Sequence, residues 1–507
     1  MSLLFDAQKC RPFVNIALLY YLHCYSSAML PHKIIGLLTG PLLFWLTITF
    51  LSVEGLDANA VRVMAVAVWL VTWWMTEAVP LPVTALLPLL LFPMLGIFAI
   101  GEATAPYASP IVFLFMGGFL IALAMEKRNL HRRIALNLIR LTGTDANGIT
   151  LGFMLATAFL SMWISNTATT VMMLPIALSV LDLLREALPI EKEAAYRRFA
   201  LGLMLCIAYS ANIGGTVTII GTPPNVVLVG YMQQFYQQEI TFGRWLLIGV
   251  PVGMILLSST YWLVTHMLFS HRLGRLANSA TLIADKLRAL GAMSRAERGV
   301  ATVFGLTAFG WVFQTSINNW LGHDYLDNTL IAMAGGIAMF IVPVSLRRGE
   351  YLLDWESTTR LPWGILLLFG GGLCLAKGME TTGLVQWVGD RIAHQSGISL
   401  GWLVLLLTAF MLFMTEIMSN VALVVIFVPV VFGIADGLGI EPLYLAAPVT
   451  LASSCAFMMP ISTPPNAVVF SSGYIRIGQM ARAGLLLNIV SVLVLLFLTL
   501  TVVRWVY

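Results

Sequence analysis

Charge is what this sequence has least of. Asp, Glu, Lys and Arg make up 10% of its 507 residues and hydrophobic residues 59%, whereas soluble domains carry roughly 25% charged residues. A water-soluble fold has no interior large enough to hide so much apolar surface. The polar-apolar alternation over ~10-residue segments that a membrane barrel needs is also missing. Residues 41–53 and 484–503 are apolar without alternation, so a barrel is excluded. The five cysteines (Cys10, Cys24, Cys206, Cys374 and Cys455) show no CxxC spacing, and the seven histidines form no HExxH or paired pattern. Neither a disulfide framework nor a zinc site is indicated. The net charge of +4 is carried mostly by loops, so it reports membrane orientation and gives no support to a nucleic-acid partner.

Long apolar runs are plentiful, each near the ~20 residues that cross the hydrocarbon. They predict an all-α polytopic membrane protein with about eleven transmembrane helices, near 34–52, 60–79, 81–98, 108–126, 199–238, 242–268, 299–320, 326–345, 362–379, 441–474 and 481–505. Lys127, Arg128, Arg132, Arg133 and Arg140 form one basic loop. Arg272, Arg275, Lys286, Arg288, Arg295 and Arg298 form another. Both belong on the cytoplasmic side. Tracing the crossings then places Arg347, Arg348 and Arg360 inside, and Glu54, Asp57, Glu102, Asp324 and Asp327 outside. Residues 1–28 lack the basic start and unbroken apolar core of a signal peptide. Translation is expected to begin at Met29, the alternative being an extra helix; from Met29 the N-terminus is cytoplasmic and Tyr507 ends outside.

Two stretches, 147–186 and 398–437, resist a single crossing. Each holds two short apolar runs flanking a polar tip, Ser165-Asn166-Thr167 or Ser419-Asn420-Val421. Counting either as one span would put the basic 271–298 segment outside, whereas a re-entrant hairpin keeps the charge rule. Such a tip must line a protein-buried or watery cavity, because lipid cannot satisfy exposed backbone.

The chain also repeats itself. Gly117-Gly118, Ala122, Met125-Glu126, Ser165-Asn166 and Pro175 recur 254 positions later as Gly371-Gly372, Ala376, Met379-Glu380, Ser419-Asn420 and Pro429. Gly221-Thr222-Pro223-Pro224-Asn225 recurs as Ser462-Thr463-Pro464-Pro465-Asn466 at offset 241, the shortfall falling in the longer loop over 188–198. An odd number of crossings separates the copies, which are therefore expected to be inverted, the architecture of secondary transporters with discontinuous helices at the midplane.

Thr-Pro-Pro-Asn inside an apolar helix removes backbone donors and clashes with the preceding turn, so each copy must break its helix. The freed carbonyls, with Ser and Asn oxygens of a hairpin tip, make an uncharged oxygen cage suited to sodium. No Lys or Arg accompanies either tip. Half-helix N-termini and bound cations would have to hold an anion there, and two facing half-sites suit a molecule with an anionic group at each end.

The Ser-Asn-Thr tip, the Thr-Pro-Pro-Asn breaks and Thr76-Glu77-Ala78-Val79-Pro80-Leu81-Pro82 resemble the divalent anion:sodium symporter family, from about Ile34 to the C-terminus. The resemblance implies sodium-coupled import of succinate, malate, fumarate, citrate or, in some branches, sulfate, by a homodimer whose transport domain slides like an elevator against a scaffold. It implies a first sodium site at Ser161, Ser165, Asn166 and Gly221, and a second at Thr415, Met418, Ser419, Asn420 and Ser462. Substrate contacts would be Asn166, Thr167, Thr222, Pro223, Asn420, Val421, Thr463 and Pro464. The implied division is an N-terminal extension over 1–33, scaffold helices over 34–126, transport segments over 127–241 and 380–507, and linking and scaffold helices over 242–379.

Val421 departs from the Ser-Asn-Thr of many dicarboxylate carriers and removes a hydroxyl from the pocket. Some relatives exchange anions without sodium, using cationic side chains in place of the ions; the neutral oxygens kept here favour symport, with sodium-independent exchange and sodium:sulfate symport as alternatives. No catalytic dyad or metal-binding histidine stands near the tips, so no enzyme activity, and no organic cofactor, is expected. Glu77 and Lys377 read as structural, and Glu416 as either a functional carboxylate or a brace. The helices after Glu126 and Glu380 are amphipathic and are expected along the membrane surface. The host membrane is expected to be a bacterial inner membrane.

Overall fold

The computed structural model describes residues 31–51, 55–143, 145–271, 273–274, 279–393 and 399–507. The expected start at Met29 and most of the 1–33 extension lie outside them. The chain opens with helices α1 (Pro31–Phe50) and α2 (Ala58–Thr76), followed by short α3 (Leu81–Thr84), α4 (Leu87–Met94) and α5 (Ile100–Thr104). Long α6 (Pro110–Lys127) leads to α7 (Leu130–Leu141), and α8 (Ala146–Ser161) and α9 (Asn166–Ala187) form the first hairpin. Next come α10 (Glu193–Val217), α11 (Pro223–Tyr236), α12 (Phe242–Trp262), α13 (Ser279–Ala289), α14 (Arg295–Leu321) and α15 (Asn328–Ile341). Two very short strands, β1 (Pro343–Ser345) and β2 (Glu350–Tyr351), pair antiparallel. After α16 (Trp363–Thr381) and α17 (Leu384–Ala393), the second hairpin is α18 (Leu400–Thr415) and α19 (Asn420–Gly437). Helices α20 (Pro442–Ser453), α21 (Pro464–Phe470) and α22 (Ile477–Leu498) follow.

The protein is thus an all-α polytopic membrane protein apart from the small ribbon. Among the described residues, ten helices are long and apolar enough to cross a membrane, fewer than the eleven expected. Two of the ten are α9 and α19, the second limbs of the hairpins, which the sequence reading had set apart. The expected span at 81–98 is instead broken into α3 and α4, because Pro82 and Pro88 each sit in a first helical turn, where a missing N–H is harmless, and force a new start. Leu38, Phe50, Leu306, Phe309, Trp320 and Phe497 are exposed, a surface suited to lipid and hostile to water.

Without a hydrophobic drive between helices in lipid, close contact depends on small residues. A Cβ on Gly117 of α6 would stand 2.5 Å from the backbone of Ala332 in α15, and one on Gly371 of α16 would stand 2.1 Å from the carbonyl oxygen of Ala85 at the α3–α4 junction. Gly117 and Gly371 are the pair related by 254 positions, and each packs against backbone of the other half. The hairpins dock in the same way. Gly214 of α10 approaches the backbone at Ala158 of α8, and Gly389 of α17 approaches that of Gly433 in α19.

Candidate substrate and cation site

Both Thr-Pro-Pro-Asn motifs break a helix. Helix α10 stops at Val217 and α11 starts at Pro223; α20 stops at Ser453 and α21 starts at Pro464. Thr222 (φ −141°, ψ 141°) and Thr463 (φ −141°, ψ 148°) hold almost the same extended backbone, the conformation a following proline demands. The asparagine that ends each motif repairs the break. Asn225 donates from Nδ2 to the carbonyls of Thr216 (3.1 Å) and Thr218 (2.8 Å). Asn466 donates to those of Ala456 (3.0 Å) and Met459 (3.0 Å). Buried helix-end carbonyls are costly when unpaired, so this residue type at this spacing is structural. The carbonyls expected to be free for a cation are therefore in part taken up by these asparagines, a role the sequence does not announce.

Each hairpin tip places an asparagine beside its break. The Ser161 hydroxyl lies 2.6 Å from Asn166 Oδ1 and 2.7 Å from the Ala211 carbonyl oxygen. In the other half Thr415 Oγ1 lies 2.7 Å from both Asn420 Oδ1 and the Ser453 carbonyl oxygen. Ser161 and Thr415 are fully buried. With the amide oxygens so placed, a single hydroxyl proton faces two acceptors in each triad, and one acceptor is left over. An oxygen-rich, proton-poor cluster of this kind is a fitting environment for a hard monovalent cation. Glycine closes the first triad: a Cβ on Gly215 would stand 2.4 Å from Asn166 Oδ1, and one on Gly221 2.5 Å from the Gly215 carbonyl oxygen and 3.0 Å from that of Ser161.

The other expected ligands fall differently. Ser165 caps α9, its hydroxyl accepting from Ala168 N–H at 3.3 Å, and Ser419 holds the matching position at the start of α19 without a side-chain cap bond. Ser462 donates to the carboxylate of Glu416 at 2.5 Å and also approaches the Glu416 carbonyl at 3.1 Å. Met418, Ser419 and Ser462 line a shared cavity, as do Ser165 and Gly221.

That cavity has a volume of about 820 Å3. All eight residues expected to touch substrate line it: Asn166, Thr167, Thr222 and Pro223 from one half, and Asn420, Val421, Thr463 and Pro464 from the other. Helices α9, α11, α19 and the shorter α21 all begin there, so their dipoles supply positive potential; free N–H groups come from α9 and α19, because prolines fill the first two positions of α11 and α21 and the N–H groups of Asn225 and Asn466 are already paired. Among the described residues no Lys or Arg lines it, and its titratable residues are His32 and Glu77. Asn212 lines it too and donates to Thr463 Oγ1 at 3.1 Å, joining one half to the break of the other. Asn212 carries no motif that would have singled it out.

Glu416 is the main asymmetry. Its Oε1 accepts from Phe457 N–H (2.9 Å), Met458 N–H (2.9 Å) and Asn488 Nδ2 (2.7 Å), and its Oε2 from Met459 N–H (3.2 Å) and Ser462. At the position related by 254 stands Met162. There the helix runs on to Val217, and Thr218 Oγ1 donates to the Met162 carbonyl at 2.5 Å. Where the carboxylate is present, the chain unwinds from Ser454 onward and gives its N–H groups to Glu416 instead. The brace reading of Glu416 therefore has its geometry. Glu77 ends α2 in the left-handed region (φ 46°) at the cavity, and Lys377 Nζ lies 5.2 Å from the ring centre of Phe98.

A family model described as "Sodium:sulfate symporter transmembrane region" matches residues 32–507. Curated relatives include the "Sodium-dependent dicarboxylate transporter SdcS" of Staphylococcus saprophyticus, 39% identical over 469 residues, covering 91% of this chain and 90% of that protein. The protein of the same name from Staphylococcus aureus is 39% identical over 470 residues, covering 92% and 90%. Solved structures that share the fold include MtrF of Neisseria gonorrhoeae (TM-score 0.56, 11% identity, 93% of this chain and 95% of that one). The YdaH transporter of Alcanivorax borkumensis is another (TM-score 0.56, 14% identity, 79% and 86%).

Proposed function

We propose, from the premise that this chain belongs to the sodium:sulfate symporter family, that it imports small dicarboxylate anions of the succinate, malate and fumarate class together with sodium. Family and relatives are transporters, not enzymes. The observation that carries the reading is a cavity with no Lys or Arg among its described lining residues, flanked by two equivalent triads of hydroxyl, amide and carbonyl oxygen. An anion there needs positive charge that the side chains do not supply. Two sodium ions in the triads, with the helix N-termini, would supply it, and coupling follows because each ion stabilises the anion's site. The bound ions would also draw on Glu416, whose negative charge stands beside the second triad.

In this reading the site residues are those the family resemblance implied, Asn166 and Asn420 serving ion and substrate together. The hairpins are re-entrant, the halves are inverted, and the transport segments slide as an elevator against the scaffold in a homodimer in a bacterial inner membrane, with the N-terminus cytoplasmic and the C-terminus outside. Uptake of labelled succinate into proteoliposomes with and without an inward sodium gradient is the direct test. Accumulation is expected only with the gradient. Equal exchange with and without sodium would overturn symport, and uptake of sulfate in preference to succinate would overturn the substrate class.

A further inference from the structure

A second cavity, of about 460 Å3, shares no lining residue with the first. We propose that it is a separate anion site, one that takes a phosphate group. Three stretches distant in sequence converge on it: Arg185 in the last turn of α9, Arg197 and Arg198 near the start of α10, and Arg476 at the entry to α22. Arg197 is paired with Glu193 at 2.8 Å. Arg185, Arg198 and Arg476 form no ion pair among the described residues, and Asp182, one turn before Arg185, forms none with it. Three positive charges are left facing one hollow. Arginine presents a planar fork of donors matched to phosphate oxygens.

The walls are fixed before any ligand arrives. Tyr196 Oη and Tyr474 Oη lie 3.2 Å apart and tie the start of α10 to the loop before α22. Gln479 accepts from Arg476 N–H at 3.0 Å through Oε1, which leaves its amide donors without an acceptor among the described residues. His271, outside the spans, is held below its ordinary pKa by burial first and by the nearby Arg198 charge next. Leu201 and Phe269 give the cavity an apolar side. The excess of basic residues on cytoplasmic loops explains the sign of this face. It does not explain why arginines from three stretches surround one hollow that has both a hydrogen-bonded frame and an apolar wall. That combination suits either an anionic phospholipid headgroup or free phosphate.

The test is thermal melting of the purified full chain in nanodiscs. One arm compares discs of phosphatidylcholine alone with discs containing phosphatidylglycerol. The other titrates inorganic phosphate into phosphatidylcholine discs against chloride at equal ionic strength. A Tm rise of about 2–4 °C is expected in at least one arm. A rise with lipid alone identifies the headgroup as the source, and a rise with inorganic phosphate identifies the free anion. The triple variant Arg185→Gln, Arg198→Gln, Arg476→Gln should lose the rise while melting like the parent in plain discs. If it misfolds, Arg198→Gln and Arg476→Gln taken singly should each raise the half-saturating concentration about tenfold. No rise in either arm, or a rise that persists in the variants, overturns the site; a persisting phosphate effect would point to the larger cavity instead.

Discussion

Asn166 and Asn420 each bring an amide oxygen to a buried hydroxyl that already faces a backbone carbonyl. In the proposed reading, replacing either by Ala removes a cation ligand and a substrate contact together. Each variant is expected to stay folded and to lose sodium-driven succinate uptake, measured in proteoliposomes beside a melting curve; uptake at the parent rate by either would remove that asparagine from the site. Val421 lines the cavity at the position where the other half has Thr167. Thr is close to Val in shape but polar, and a hydrogen bond to a charged group contributes about 1.5–3 kcal/mol, roughly ten- to hundredfold in affinity. Val421→Thr should shift the ranking of succinate, malate, citrate and sulfate in competition assays and leave the sodium requirement intact. An unchanged ranking would place Val421 outside the binding surface. The tips and the Thr-Pro pairs were legible in sequence because they repeat. Asn212 was not, since its partner Thr463 lies 251 positions away and its own repeat position holds Ser453.

At the scale of elements, proline placed the helix breaks and capping residues placed the starts. The paired short apolar runs around each polar tip gave stretches 147–186 and 398–437, and the helix pairs there run over 146–187 and 400–437. The sequence misleads where one expected span, 81–98, holds three prolines, two of which start new helices, and where a side chain rather than a breaker sets the geometry. Glu416 is the clearest case: one carboxylate holds five donors from the unwound loop and from Asn488 and Ser462, and so determines how far α20 unwinds. A buried donor left without an acceptor costs about 1–3 kcal/mol. Glu416→Gln replaces one acceptor oxygen by an NH2 group facing donors, so it should lower Tm and abolish uptake. A variant that melts and transports like the parent would show that the loop does not depend on the charge. Gly215 tests the first half in the same way. A Cβ there would stand 2.4 Å from Asn166 Oδ1, so Gly215→Ala must displace the amide, and a rise in half-saturating sodium of at least about tenfold is expected, that being what the loss of about 1.4 kcal/mol at a ligand produces. Unchanged sodium dependence would mean that Asn166 is not a ligand in that conformation.

For the whole molecule, the placement of the cavity matters most. Besides the tips it is lined by His32 at the start of α1, Met75 to Glu77 at the end of α2 and Ile365 at the start of α16. The last of these adjoins the segment that the ion pairs Lys127 with Asp354 and Arg360 with Glu126 fasten to the basic end of α6. At the opposite end Asn328 of α15 is tied to the 240–242 connection, accepting from Phe242 N–H at 3.2 Å and donating to the Ile240 carbonyl at 3.0 Å. These helix ends lie on the side of the basic loops, and in the elevator reading the arrangement is the inward-facing state. In that reading, moving to the outward state parts contacts between scaffold and transport segment. One such contact is suited to a disulfide. A Cβ built on Gly118 of α6 stands 3.7 Å from Cβ of Ile220, in the break between α10 and α11, within the 3.5–4.5 Å typical of disulfides. The native Cys206, Cys374 and Cys455 are buried, and Cys10 and Cys24 would be changed to Ser to leave the introduced pair alone. Gly118→Cys with Ile220→Cys is expected to crosslink under mild oxidant and to stop succinate uptake, and reductant should restore it. Each single variant should transport under both conditions. If the domain slides, the crosslinked protein should still bind sodium, seen as a Tm rise, because Gly118 and Ile220 line the cavity but neither belongs to a triad. A fully crosslinked protein that carries succinate at the parent rate would mean that α6 and the α10–α11 break do not move apart during transport, and that access alternates by some other rearrangement.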